Sequence, residues 1–245
     1  MGQQQTERLA LFIGSIVLTA ILYKLVPSIA GPLVLLGTFV HETGHGIAGI
    51  LVGGDFLELH ITEWGGYAIV ARPVDSGGIS SAIISAGGLI GPSFAAMLSF
   101  AAARSAKWSR VFLGGVALIL LWLILFKVDN GRGYMVAGVI FAGSAALAIR
   151  GSASLNQAVT VFFGIQLALS LYSDTDYLFT QYFSGTNGER MSSDTQNMAD
   201  ALVGPYWFWA CVCIAVSVGA LLLGAFLMLA GSGKPKPVLV KKKST

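Results

Sequence analysis

The chain has 245 residues, 55% of them hydrophobic and 11% charged, with a formal net charge of +3 and a mean hydropathy of +0.74. A soluble domain carries about 25% charged residues, and a chain this size needs polar surface wherever it meets water, so most of this surface must face lipid. The small net charge, drawn largely from the tail Lys241-Lys242-Lys243, excludes the basic footprint of a nucleic-acid binder.

A helix that crosses a bilayer needs about 20 mostly apolar residues. Runs that qualify lie at 9–29, 31–53, 80–103, 111–127, 133–149, 155–172 and 205–230. They predict an all-α polytopic membrane protein with about seven transmembrane helices; losing the first would leave six without moving the others. The first run is long and lacks a small-residue cleavage site, so it reads as a span rather than a signal peptide. Residues 56–72 alternate, are rich in β-branched and aromatic side chains and centre on Gly65-Gly66, which predicts a small β-hairpin. Residues 173–204 form a polar, net acidic segment with a short helix starting near Ser193-Asp194. Tyr206, Trp207 and Trp209 open the last span as an interfacial belt. Residues 1–230 read as a single transmembrane domain and 231–245 as a flexible basic tail.

Orientation follows from Lys and Arg. Lys24, Arg104, Lys107, Arg110, Arg150 and the five tail lysines fall on one side; Arg8, Arg72, Lys127, Arg132 and Arg190 fall on the other, with every acid except Glu42. Ten basic residues against five of the 15 place the C-terminus in the cytoplasm and the N-terminus outside.

The second run contains His41-Glu42-Thr43-Gly44-His45. On a helix the pattern His-Glu-x-x-His puts two imidazoles on one face, close enough to share a metal, with the glutamate able to act as general base on a water. The motif lies about ten residues from the start of its span, near mid-membrane by helix rise. Ionisable side chains at that depth cost about 2.5–3.5 kcal/mol each even on the lenient insertion scale, so chance placement is disfavoured. The expected cofactor is one Zn2+ per chain, held by His41 and His45, with Glu42 as the catalytic base. A third ligand is needed. Leu51 occupies the position where a third histidine would stand, and Glu58, Glu63 and Glu189 fall in outer segments. Asp129, Asp174, Asp176 and Asp194 remain, all on the side toward which the helix runs after His45. Gly49 and Gly53 form a GxxxG, matched by Gly87 and Gly91 in the next span, which predicts close helix approach.

The motif helix, the Gly-Gly and hairpin after it, and the islands ISAGGLIGPSF and MSSDTQNMADALVGPYWFW resemble the site-2 protease family of intramembrane zinc metallopeptidases, in its compact branch without a PDZ domain. The resemblance covers about residues 38–215 and is specific at those islands. It implies a helical intramembrane metallopeptidase core, cleavage of a peptide bond in or near a transmembrane segment, and a membrane-protein substrate as partner within the lipid bilayer. It carries His41 and His45 over as ligands and Glu42 as base. Asp194 matches the branch's Ser-Asp motif as third metal ligand, although Ser193 or Asp194 equally suits a helix N-cap; Asp176 lies where the branch tends to carry an acid. The sequence around Asp129, VDNGR, is similar to the Asp-Gly of other family members but lacks their Asn-Pro-rich lead-in. Two other readings stand beside this one: a zinc-binding membrane protein without proteolysis, and a transporter using the His/Glu cluster as an ion or proton relay, against which the other spans offer few ionisable residues.

Overall fold

A computed structural model describes residues 3–63, 65–72, 77–173, 175–185 and 188–230. The tail 231–245 and Asp174, one of the candidate ligands, lie outside the described residues.

The chain opens with α1 (Gln3–Leu25) and α2 (Pro27–Leu51), separated only by Val26. Pro27 suits the first helical position because its missing amide hydrogen would have no intrahelical partner there. The hairpin follows as β1 (Asp55–Ile61) and β2 (Gly66–Ala71), and then α3 (Gly77–Ala103), α4 (Ala106–Phe126), α5 (Gly131–Arg150) and α6 (Ala153–Ser173). The polar segment folds as α7 (Thr175–Leu178), two three-residue strands β3 (Tyr182–Ser184) and β4 (Arg190–Ser192), and α8 (Asp194–Ala201), before the last helix α9 (Tyr206–Leu229). Helix starts follow local capping: Ser105 Oγ accepts from the Trp108 N–H at α4, and Asn130 Oδ1 from the Gly133 N–H at α5.

Among the described residues, six helices are long and apolar enough to cross a membrane: α1, α3, α4, α5, α6 and α9. The seventh long helix, α2, carries the pentapeptide in its second half. Leu118, Val139, Ile149 and Leu222 stand exposed on the outside of the bundle, as lipid-facing side chains do. The fold is a polytopic helical membrane protein with an appended hairpin.

At the centre, α3 packs against α2, α6, α8 and α9. Its contact with α2 is backbone-close. A Cβ at Gly44 would fall on the Gly87 carbonyl, and one at Gly87 would lie 2.5 Å from the Ala48 methyl. The expected GxxxG pairing is thus shifted. Gly44 makes the approach, Gly49 instead leaves room for Val70 of β2, and Gly53 lies past the helix at φ 82°.

The expected position of the N-terminus is corrected. Arg8 donates to the Met228 carbonyl at the end of α9 at 3.2 Å, and shares a cleft with Arg104, Ser105 and Gln157. The start of α1 therefore lies at the same end of the bundle as the end of α9. Counting alternate loops fails because α1 and α2 run in the same sense. Phe12 packs on Phe100 and Thr19 bonds Gln166, while Val40 and Gly44 climb α3 toward its N-terminal end.

The β1–β2 pair is antiparallel, with a bulge between Phe56 and Glu58. The extra residue lets Phe56, Leu59 and Ile61 all face inward despite their uneven spacing. Phe56 fills the space left by Gly46 and packs on Trp122. The α4–α5 connection then runs alongside β1: the Leu59 N–H donates to the Lys127 carbonyl at 2.8 Å, and the Asp129 N–H to the Leu59 carbonyl at 3.2 Å. This cluster anchors the hairpin to the bundle.

Candidate metal centre

One turn of α2 presents His41 and His45 on the same face, with their Nε2 atoms 3.0 Å apart. His45 Nδ1 lies 2.8 Å from the Ile84 carbonyl of α3. A carbonyl only accepts, so this nitrogen carries the proton and Nε2 keeps its lone pair. Gly88 makes space for the ring, because a Cβ there would fall on the imidazole.

The third donor comes from the start of α8. Ser193 takes the capping role, its Oγ accepting from the Gln196 N–H at 3.2 Å. Asp194 is left free to reach α2, and its Oδ2 lies 3.3 Å from both His41 Nε2 and His45 Nε2. Ligands about 2.1 Å from a tetrahedral zinc stand about 3.4 Å from one another, so the three donors fit such an ion. They are well shielded, each imidazole 12% and the carboxylate 9% exposed. Burial pushes the Asp194 carboxyl upward, but the two imidazoles beside it outweigh that and hold it below the usual carboxylate range. Tyr177, from α7, donates to Asp194 Oδ2 at 3.0 Å.

Glu42 is buried next to the pair, lining the same cleft as Ala68 of strand β2. Gly66 keeps the strand close to it, since a Cβ there would lie 3.0 Å from Glu42 Cγ. The residues face a cleft of about 810 Å³, walled by Tyr67 and Val70 of β2 on one side and Phe183 and Met191 of the β3–β4 pair on another.

Of the sequence candidates, the structure brings together His41, His45 and Asp194 as a group that could hold a metal, with Glu42 beside them. Asp176 is exposed on α7, apart from that group, and Asp129 lies with Glu58 and His60 instead. Sequence reasoning missed Tyr177, although it sits next to Asp176 in YSDTDYLF, and Gly88, although it lies in the ISAGGLIGPSF island. It also missed β3 and β4, too short to show an alternating pattern.

No curated protein and no solved structure matches the chain. The family profile described as Peptidase M50B-like matches residues 14–224, which contain every residue of the centre. A membrane-helix bundle and a match over most of its length make this chain a member of the Peptidase M50B-like family of site-2 proteases, a membrane metallopeptidase in type.

Proposed function

We propose that the chain is a zinc-dependent intramembrane protease that hydrolyses a peptide bond in or near a transmembrane segment of another membrane protein. The observation that carries this reading is the meeting of three donor atoms, 3.0 and 3.3 Å apart, from helices far apart in sequence, with a buried carboxylate beside them facing a strand edge. His41, His45 and Asp194 would hold the zinc, which when bound supplies Lewis acidity and makes water nucleophilic near neutral pH.

Glu42 takes the proton of the attacking water on its carboxylate and delivers it to the departing amide nitrogen. His45 is kept in the ligating tautomer by the Ile84 carbonyl, and Asp194 is oriented by Tyr177. A peptide bond inside a helix is shielded by its own hydrogen bonds, so the substrate must present an extended stretch. The edge of β2 away from β1 borders the cleft and offers main-chain partners for it. The bundle end bearing Arg8, Arg104, Lys107, Arg110 and Arg150 faces the cytoplasm by the bias of cytoplasmic loops toward basic residues, and the C-terminus with it.

Wild type and Glu42→Gln, purified in detergent, test this through bound zinc and cleavage of a labelled transmembrane peptide. Both are expected to hold zinc, with cleavage reduced about 10²–10⁴-fold in the variant. Zinc without cleavage by either, over several substrates, makes the chain a non-proteolytic zinc-binding protein. Absence of zinc from both sinks that reading too and leaves an ion or proton relay.

A further inference from the structure

The face of β1 turned away from the core carries a second group of donors. With Phe56, Leu59 and Ile61 inward, Glu58 and His60 share the opposite face. The parallel bridge between Leu59 and Val128 brings Asp129 next to them. His60 Nε2 lies 3.1 Å from Glu58 Oε2 and 3.8 Å from Asp129 Oδ2, and all three donor atoms fall within 4.8 Å of one another. These separations bracket the roughly 3.4 Å expected between ligands on a tetrahedral divalent ion.

The frame behind the donors is fixed. The His60 ring stacks on Tyr67 with centroids 4.5 Å apart and planes 12° off parallel. Asn130, the next residue after Asp129, accepts from the Ile61 N–H at 3.1 Å and donates to the Ile61 carbonyl at 2.6 Å. The two carboxylates lack a permanent counter-charge: among the described residues, neither Glu58 nor Asp129 pairs with a lysine or arginine. Lys127, two residues from Asp129, turns its ammonium to the Phe56 carbonyl and lies over the Phe56 and Trp122 rings.

The geometry points to a second divalent-cation site formed by Glu58, His60 and Asp129, which fastens the β1–β2 hairpin to the α4–α5 connection. One imidazole and two carboxylates suit an ion of the Zn2+ class, with water completing its shell. The Glu58 and Asp129 side chains are 45% and 63% exposed, so this site exchanges its ion with the medium while the α2–α8 centre is shielded. Occupancy steadies the strand pair whose far edge borders the cleft. The inference stands apart from proteolysis, because it concerns other ligands and is read by binding alone.

The test uses the full chain in detergent, stripped by chelator and titrated with Zn2+ against a chromophoric chelator. Wild type is expected to take up two ions. His45→Ala is expected to keep the hairpin ion, and His60→Ala and Asp129→Asn to keep the other while losing this one or weakening it at least about tenfold. Asp129→Asn preserves shape at an exposed position, so its loss is not unfolding. In a second measurement, Zn2+ slows amide exchange across residues 55–71 of His45→Ala but not of His45→Ala/Asp129→Asn. His45→Ala taking up no ion, or His60→Ala and Asp129→Asn titrating as wild type, overturns the proposal.

Discussion

The Tyr177 hydroxyl donates to Asp194 Oδ2 at 3.0 Å, and the Asp194 backbone N–H donates back to the same hydroxyl at 3.2 Å. This reciprocal pair ties α7 to the first residue of α8 and aims the carboxylate at the imidazoles. Burial and the adjacent Asp194 charge push the phenol above its ordinary value, so it stays a donor at neutral and mildly alkaline pH. Tyr177→Phe is predicted to weaken zinc binding at the α2–α8 centre about 10–100-fold with secondary structure unchanged. Chelator competition measures it, and unaltered affinity would remove Tyr177 from the centre.

Asp194→Asn and Asp176→Asn separate the two acids of the polar segment. Only Asp194 reaches the imidazoles, so Asp194→Asn is expected to lose zinc from that centre and with it cleavage. Asp176 is exposed, and Asp176→Asn is expected to titrate and cleave as wild type. Metal content after gel filtration, read beside the cleavage assay, decides the matter. Full zinc occupancy in Asp194→Asn would show that another residue completes the ligand set.

Two neighbouring glycines on α3 should behave differently. A methyl at Gly88 falls on the His45 ring, whereas one at Gly91 meets its nearest atom, Gly44 Cα, at an ordinary 3.4 Å. Gly88→Ala is predicted to abolish zinc binding at the centre by displacing the imidazole, and Gly91→Ala to leave it within about twofold, as an unstrained contact allows. Zinc titration of the two proteins side by side is the measurement, and equal affinities would contradict the packing described.

Asn130→Ala should act on stability rather than chemistry. The side chain bonds both main-chain groups of Ile61 and caps α5. Its removal is expected to cost about 1–3 kcal/mol, seen as a lower unfolding midpoint in detergent and faster amide exchange across residues 55–71. Unchanged exchange there would mean that the packing of Phe56, Leu59 and Ile61 alone anchors the hairpin.

How much of this was legible depended on the range of the interaction. The His41–His45 pair could be read because a four-residue spacing fixes geometry within one helical turn. The hairpin was legible from Gly65-Gly66 and the alternation around it, and lies at Asp55–Ile61 and Gly66–Ala71. The choice between Ser193 and Asp194 as cap was open in sequence, because both residue types cap helices; only the fold shows Ser193 capping and Asp194 turned to α2. Tyr177 was invisible, because its partner lies 17 residues away across two short strands with no periodic signal. Asp129 looked like a ligand candidate for the motif, yet the bridge to Leu59 sets it beside His60. Arg8 was misplaced because hydropathy reports that a segment is apolar, and says nothing of whether the next helix turns back.

The glycine contact between α2 and α3 sets where the molecule can give way. With Gly44 seated on the backbone at Gly87 and Gly88, the metal-bearing helix has no side-chain cushion along which to slide. Displacing it would break van der Waals contact and drag His45 from the Ile84 carbonyl. The α2–α3 pair is therefore the rigid floor of the cleft, and its remaining walls are β2 and the β3–β4 pair.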